Sequence, residues 1–267
     1  MKIALMDSGI GLLAAASALR GLRPDAELVL SCDPDGMPWG PRTPDDLTQR
    51  ALLVARAAAA HRPDALIVAC NTASVHALPA LRAELEPAVP VIGTVPAIKP
   101  AAAAGGRVAI WATPATTGSP YQRGLIRDFA AGVRVTEVPC PGLADAVEAA
   151  DAAAVEAAVA AAAALTPLDV TDVVLGCTHY ELVEAPIRAA LAARAGSGPG
   201  TPAPVFHGSA EAVAVQALRR CGARPEPALP RTGTLTVLHS GRPAELPAAA
   251  LGYAAGRLLT GHDAVVA

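Results

Sequence analysis

Aromatic residues are scarce, with two Phe, three Tyr and two Trp in 267 residues. The core must therefore be built from Leu, Val, Ile and Ala, and little surface is left for stacking on bases. The net charge is −3 and no basic stripe is present, so nucleic acid is not an expected partner. Lysine is rarer still: Lys2 and Lys99 are the only two. Pyridoxal phosphate enzymes need a Schiff-base lysine. Lys2 opens the first apolar run, at the wrong end for a doubly wound sheet, and Lys99 is expected in a loop between Pro96 and Pro100. Neither suits that cofactor, and a cofactor-free chemistry is expected. No C-x-x-C pair occurs among the five cysteines, which argues against structural zinc, and no metal is expected. A P-loop is missing, and Gly9-Ile10-Gly11 lacks the third glycine of a dinucleotide fingerprint. No uncharged apolar stretch is long enough for a bilayer, because Leu143–Leu165 carries Asp145, Glu148, Asp151 and Glu156. Asp7 interrupts the first apolar run too early for a secretory signal. The expectation is a cytoplasmic chain with reduced thiols and no membrane partner.

What remains is an alternation of short apolar runs and Ala/Leu-rich segments. Strands are expected at Lys2–Met6, Glu27–Ser31, Ala65–Ala69, Val91–Ile92, Val108–Ala112, Val135–Val138 and Val173–Leu175, with weaker signals at Pro202–Phe206 and Leu235–Leu238. Helices are expected at Leu12–Leu22, Pro44–Ala60, Ser74–Leu85, Ser119–Ala131, Leu143–Ala164, Val183–Arg194 and Ala210–Cys221. Ser197–Pro204 and Arg224–Arg231 read as Gly/Pro-rich loops, and the last few residues are expected to fray. This alternation implies an α/β fold of parallel sheets covered by helices, with ligands at the carboxyl ends of strands.

One internal similarity stands out. LIVACNTASVHALPALR and VVLGCTHYELVEAPIR each run from an apolar strand into a cysteine, a nearby threonine and a helix. Cys70 precedes Pro79 by nine positions, as Cys177 precedes Pro186. Two related half-domains are implied, each with a thiol at a strand's carboxyl end. The start of a helix favours a thiolate, and a free thiol titrates near pH ~8.5, so a modest shift gives a usable base. Two such groups suit taking a proton from one face of a carbon and delivering one to the other. Cys32, Cys140 and Cys221 lack these surroundings and read as core residues. Asn71, Thr72, Thr178 and His179 either cap helices or aim donors at a substrate carboxylate, and His179 could instead tune Cys177. Asp7 either caps the first helix or acts near Cys70.

Taken together, these residues resemble the aspartate/glutamate racemase family, and within it the glutamate racemases. The resemblance rests on MDSGIG, PWG at Pro38–Gly40, VACNTAS around Cys70, VPVIGTVPAIKPA, ATPATTGSPY at Ala112–Tyr121, AVE ending at Glu148, and LGCTHY around Cys177. It implies two pseudo-symmetric parallel-sheet α/β domains with the active site between them. One would hold residues 1–94 plus 207–267 with Cys70, the other residues 95–206 with Cys177. The implied activity is cofactor-independent interconversion of L- and D-glutamate, supplying D-glutamate for peptidoglycan. In that scheme Cys70 deprotonates the D enantiomer and Cys177 the L enantiomer, assisted by Asp7, Glu148 and His179. Asp7, Ser8, Trp39, Gly40, Asn71, Thr72, Thr113, Thr116, Thr117, Thr178 and His179 would hold the substrate. A homodimer is compatible with this reading.

The chain departs from the family's usual motifs at four places. Leu12 stands for a glycine after Gly11, Trp39 for tyrosine in P-Y-G, and Glu181 for the proline after Thr-His-Tyr, while Cys32–Gly36 differs from the usual approach to P-Y-G. The thiols are untouched, so reaction type is read more firmly than substrate. A racemase acting on aspartate or another amino acid is the alternative within the family. A racemase-like binding protein is the alternative of another class, and measurable turnover separates the two.

Overall fold

The computed structural model describes residues 1–195 and 203–261. It divides into two compact units, one formed by Met1–Val95 with the chain from Ala210 onward, the other by Pro96–Ser209.

The first unit is built on β1 (Lys2–Asp7), β2 (Glu27–Cys32), β3 (Ala65–Val68), β4 (Val91–Gly93), β9 (Leu235–His239) and β10 (Arg242–Ala244). Their order is β10-β9-β2-β1-β3-β4, all parallel except β10 against β9. Strands buried on both faces read as continuous apolar runs. The residues Ala4, Met6, Val29, Leu66, Val68 and Leu238 form one core face with Leu47, Ala51, Val54, Ala55 and Ala58 of α2 (Pro44–Ala59). α2 starts where it does because the Thr43 hydroxyl accepts from the Asp46 N–H and Pro44 takes the first helical position, which needs no N–H. The unit also contains α1 (Leu13–Leu22), α3 (Asn71–His76), α4 (Leu78–Leu85), α10 (Ala210–Arg220) and α11 (Ala254–Thr260), with α1 packed against α10 and α11.

The second unit carries β5 (Arg107–Ala112), β6 (Arg134–Pro139), β7 (Asp172–Leu175) and β8 (Val205–His207), parallel in the order β6-β5-β7-β8. Its helices are α5 (Ile98–Ala103), α6 (Pro120–Phe129), α7 (Leu143–Glu148), α8 (Ala152–Leu165) and α9 (Glu184–Ala195). Ile98, Ala101, Val108, Ile110 and Val174 form a core on one face of this sheet. The order second-first-third-fourth is the same as β2-β1-β3-β4 in the first unit. Cys70 follows the third strand of one unit and Cys177 the third strand of the other.

Several elements differ from the sequence expectation. Lys99 lies in α5 rather than in a loop, because Pro100 falls in the first helical turn, where a missing N–H costs nothing. The segment expected as one helix from Ser74 to Leu85 is two, α3 and α4, since Pro79 forces a restart. Leu143–Ala164 is likewise broken into α7 and α8 at Ala150, which has φ 51°, and Asp151 caps the second piece by accepting from the Ala154 N–H. A 3₁₀ turn, Thr178–Val183, precedes α9. β10, α5 and α11 carried too little periodicity to be expected. The start of the strand expected from Pro202, most of the loop from Ser197 and the last residues, 262–267, lie outside the described residues.

Candidate active site

In the first unit the site residues gather at the carboxyl end of the sheet. Asp7 closes β1 and is fully buried, its Oδ1 accepting from the Ser8 N–H at 2.7 Å. Gly9 holds the N-cap position of the 3₁₀ turn Ile10–Leu12 that follows. Ala69 still pairs with β1, its N–H donating to the Met6 carbonyl at 2.8 Å. Cys70 follows directly, beyond the end of β3. It occupies the N-cap position of α3 with extended backbone, so its thiol lies beside N–H groups that lack helical partners. Cys70, Asn71 and Ser8 are each at least nine-tenths buried. Cys32 sits across from Asp7 in the sheet register and is buried, as expected for a core thiol.

Trp39 is only 1% exposed. Its ring packs in the same core cluster as Cys70, and its N–H donates to Asp33 at 2.9 Å. The indole thus lies under the PWG loop, and its one polar group is taken by Asp33. Gly40 is exposed and Thr72 half-buried.

The second unit repeats the plan. Gly176 follows β7, its N–H donating to the Trp111 carbonyl at 2.7 Å. A Cβ at Gly176 would lie 2.8 Å from that same oxygen, so only glycine lets the chain pass this close to β5 before Cys177. Cys177 is the extended N-cap residue of the 178–183 turn and is half-exposed. Its Sγ lies 3.8 Å from His179 Nδ1, and His179 Nε2 lies 2.9 Å from Glu148 Oε2. The carboxylate fixes the ring's orientation. With Nε2–H donated to Glu148, Nδ1 faces the sulfur as an acceptor in the neutral ring and as a donor in the protonated one. The break after α7 ends that helix at Glu148, and no sequence signal short of the Asp151 cap announces it.

Thr113, Thr116 and Thr117 form one turn after β5. The Thr116 and Thr117 N–H groups both donate to the Thr113 carbonyl, and the Thr113 and Thr116 hydroxyls are 3.2 Å apart. Cys140 ends the path after β6, its N–H on the Ala112 carbonyl. Burial, reinforced by nearby Cys177, pushes the Cys140 thiol up to about 12, so it stays protonated at neutral pH and is no base. Burial likewise raises the Tyr180 hydroxyl well above its ordinary value. Three features were not assigned from sequence: Cys140 beside Cys177, Asp33 beneath Trp39, and the anchoring of Glu181. Each depends on side-chain contacts that local backbone preference and apolar periodicity do not encode.

The family profile described as Asp/Glu/Hydantoin racemase matches residues 12–217. A glutamate racemase of Roseiflexus is 38% identical over 192 residues, 70% of each chain. The chain belongs to the Asp/Glu/hydantoin racemase family. It is therefore an enzyme, an isomerase. Among solved structures, Escherichia coli glutamate racemase, in complex with L-glutamate and the activator UDP-MurNAc-Ala, matches this racemase with a TM-score of 0.76 and 26% identity, covering 94% of this chain and 91% of that one. Glutamate racemase from Thermus thermophilus, in complex with β-chloro-D-alanine, matches with a TM-score of 0.63 and 29% identity, covering 89% and 86%. No helix of this racemase is long and apolar enough, among the described residues, to cross a membrane.

Proposed function

We propose that this racemase interconverts L- and D-glutamate through Cys70 and Cys177, and that it thereby supplies D-glutamate for peptidoglycan. The observation that carries the reading is the placement of the two thiols. Each follows the third strand of a sheet with the same strand order, and one is backed by His179 and Glu148. In this scheme one cysteine starts as thiolate and removes the α-proton. The thiol of the other cysteine protonates the opposite face, and turnover exchanges the two states. Cys70 serves D-glutamate and Cys177 serves L-glutamate. Asp7 assists the first, and His179 with Glu148 assists the second. The carbanion-like transition state needs stabilisation within the ~8–23 kcal/mol that enzymes supply. Without an electron sink, that stabilisation comes from donors on the substrate carboxylates, for which Ser8, Asn71, Thr72, Thr113, Thr116, Thr117 and Thr178 are available.

The test is incubation with L- or D-glutamate in deuterated water, without added pyridoxal phosphate or metal. Product should carry α-deuterium while early recovered substrate carries little. Cys70→Ser and Cys177→Ser should each reduce racemisation at least ~10³-fold, because a hydroxyl is a far weaker acid than a thiol. Near-normal racemisation by either folded variant would overturn the two-thiol mechanism. Faster turnover of aspartate or alanine than of glutamate would overturn the substrate assignment alone.

A further inference from the structure

Glu181 stands where the family usually carries proline after Thr-His-Tyr, two residues beyond His179 and within the same 3₁₀ turn. Its carboxylate is anchored through one oxygen and packed through the other. Oε1 accepts from the Ser209 N–H at 2.8 Å and the Ser209 hydroxyl at 2.7 Å. Oε2 fills the space beside Gly208, where a Cβ would come within 2.5 Å of it, so any larger residue at 208 would displace the carboxylate. Ser209 is only 3% exposed and is the last residue of the second unit, immediately before α10.

The turn at 178–183 is six residues of 3₁₀ helix, long for a geometry with poor hydrogen bonds. Proline at 181 would stiffen it by fixing φ near ~−65°. Glutamate leaves φ free, so some other constraint must hold the turn, and the anchored carboxylate supplies one. We propose that Glu181 is a positioning residue: by tying the 178–183 turn to Ser209, it keeps His179 within reach of both Glu148 and Cys177, and so sets the reactivity of Cys177 but not of Cys70. The role assigned to Cys177 in turnover rests on the racemase reading above, but the anchoring itself does not.

The experiment follows each thiol separately in the full chain. Alkylation by iodoacetamide at neutral pH is quantified by peptide mass spectrometry for Cys177 and Cys70 in wild type, Glu181→Ala, Glu181→Gln, Glu181→Pro and Ser209→Ala. Glu181→Ala should change the Cys177 rate at least fivefold and the Cys70 rate less than twofold. Glu181→Gln keeps an acceptor for Ser209, and Glu181→Pro stiffens the turn by the other route, so both should stay within twofold of wild type. Ser209→Ala, which removes one donor, should fall between. An unchanged Cys177 in Glu181→Ala would overturn the proposal, as would equal changes at both thiols. A Gln variant as impaired as Ala would also overturn it, since charge rather than anchoring would then be responsible. If Glu181→Ala does not fold, Ser209→Ala with an unchanged Cys177 rate overturns it. Elimination from the two enantiomers of β-chloroalanine, which needs only one base, supplies the functional arm: the L enantiomer should slow with the Ala variant and the D enantiomer should not. Wild type that fails to racemise glutamate while its Cys177 rate depends on Glu181 refutes the functional reading and supports the positioning role.

Discussion

A buried carboxylate is retained at low cost only when its oxygens are fully engaged, and Asp33 meets that condition. It is fully buried and accepts from Trp39 Nε1 at 2.9 Å, Arg50 Nε at 2.8 Å and Ser240 Oγ at 2.9 Å, with Arg50 Nη2 close to its second oxygen. Burial pushes its pKa up, but hydrogen bonds from Arg50, Trp39 and Ser240 together outweigh that and hold the carboxyl below its ordinary value of 3.8. Asp33→Ala would leave the buried indole N–H of Trp39 without its acceptor and the half-buried Arg50 without its partner, at about 1–3 kcal/mol, and would loosen the loop that carries Trp39 and Gly40. Chemical denaturation checks that loss. Because the folded pKa is depressed, this stabilisation is complete above the ordinary carboxylate value and disappears as pH falls through the lower folded value. Asp33→Asn should therefore flatten the dependence of melting temperature on pH below pH 4, and an unchanged acid limb would contradict the assignment. The two thiols were legible because each sits in a repeated local pattern. Asp33 was not, because its partners Arg50 and Ser240 lie 17 and 207 positions away.

At the scale of elements, the repeated spacing from cysteine to proline has a structural meaning. After Cys70 come the short α3 and then α4, with Pro79 in the first turn of α4; after Cys177 come the 178–183 turn and then α9, with Pro186 in its first turn. Proline is tolerated only where its missing N–H has no partner to lose, so it marks the restart of each helix. The sequence showed the spacing but merged the pieces, because apolar periodicity runs through both. Alanine hid the break at Ala150 in the same way, since it suits the helix interior on either side. Asp151→Ala removes the cap of α8 and should cost about 1 kcal/mol, read as a lowered melting temperature. If the loss is confined to α8, Glu148 keeps its place at the end of α7, and glutamate KM should change less than twofold.

For the whole molecule, the first unit depends on chain that returns after Ser209, whereas the second is a continuous stretch. β9 pairs with β2 at five register positions, and without it the edge of β2 lies open at Leu28 and Leu30. A chain ending before Leu235 should lose hydrogen-exchange protection across β1 and β2 but retain it in β5 and β7. Simultaneous loss in both sheets would show that the two units fold as one.

The sequence by itself determined the family and most of the strands. A thiol at the end of an apolar run, followed by polar residues and a helix, is a local pattern, and the strand alternation that implies parallel sheets is local too. With only Lys2 and Lys99, it also argues against a lysine-based cofactor site. Tertiary structure decided what lies behind those residues. It showed that the strand order of one sheet is repeated in the other. It placed Glu148 on His179, Asp33 under Trp39 and Glu181 on Ser209, across 31, 6 and 28 positions respectively. The division follows from the forces involved. Backbone preference and apolar periodicity act over a few residues and are written in sequence order. A buried carboxylate must find its donors wherever the folded chain brings them.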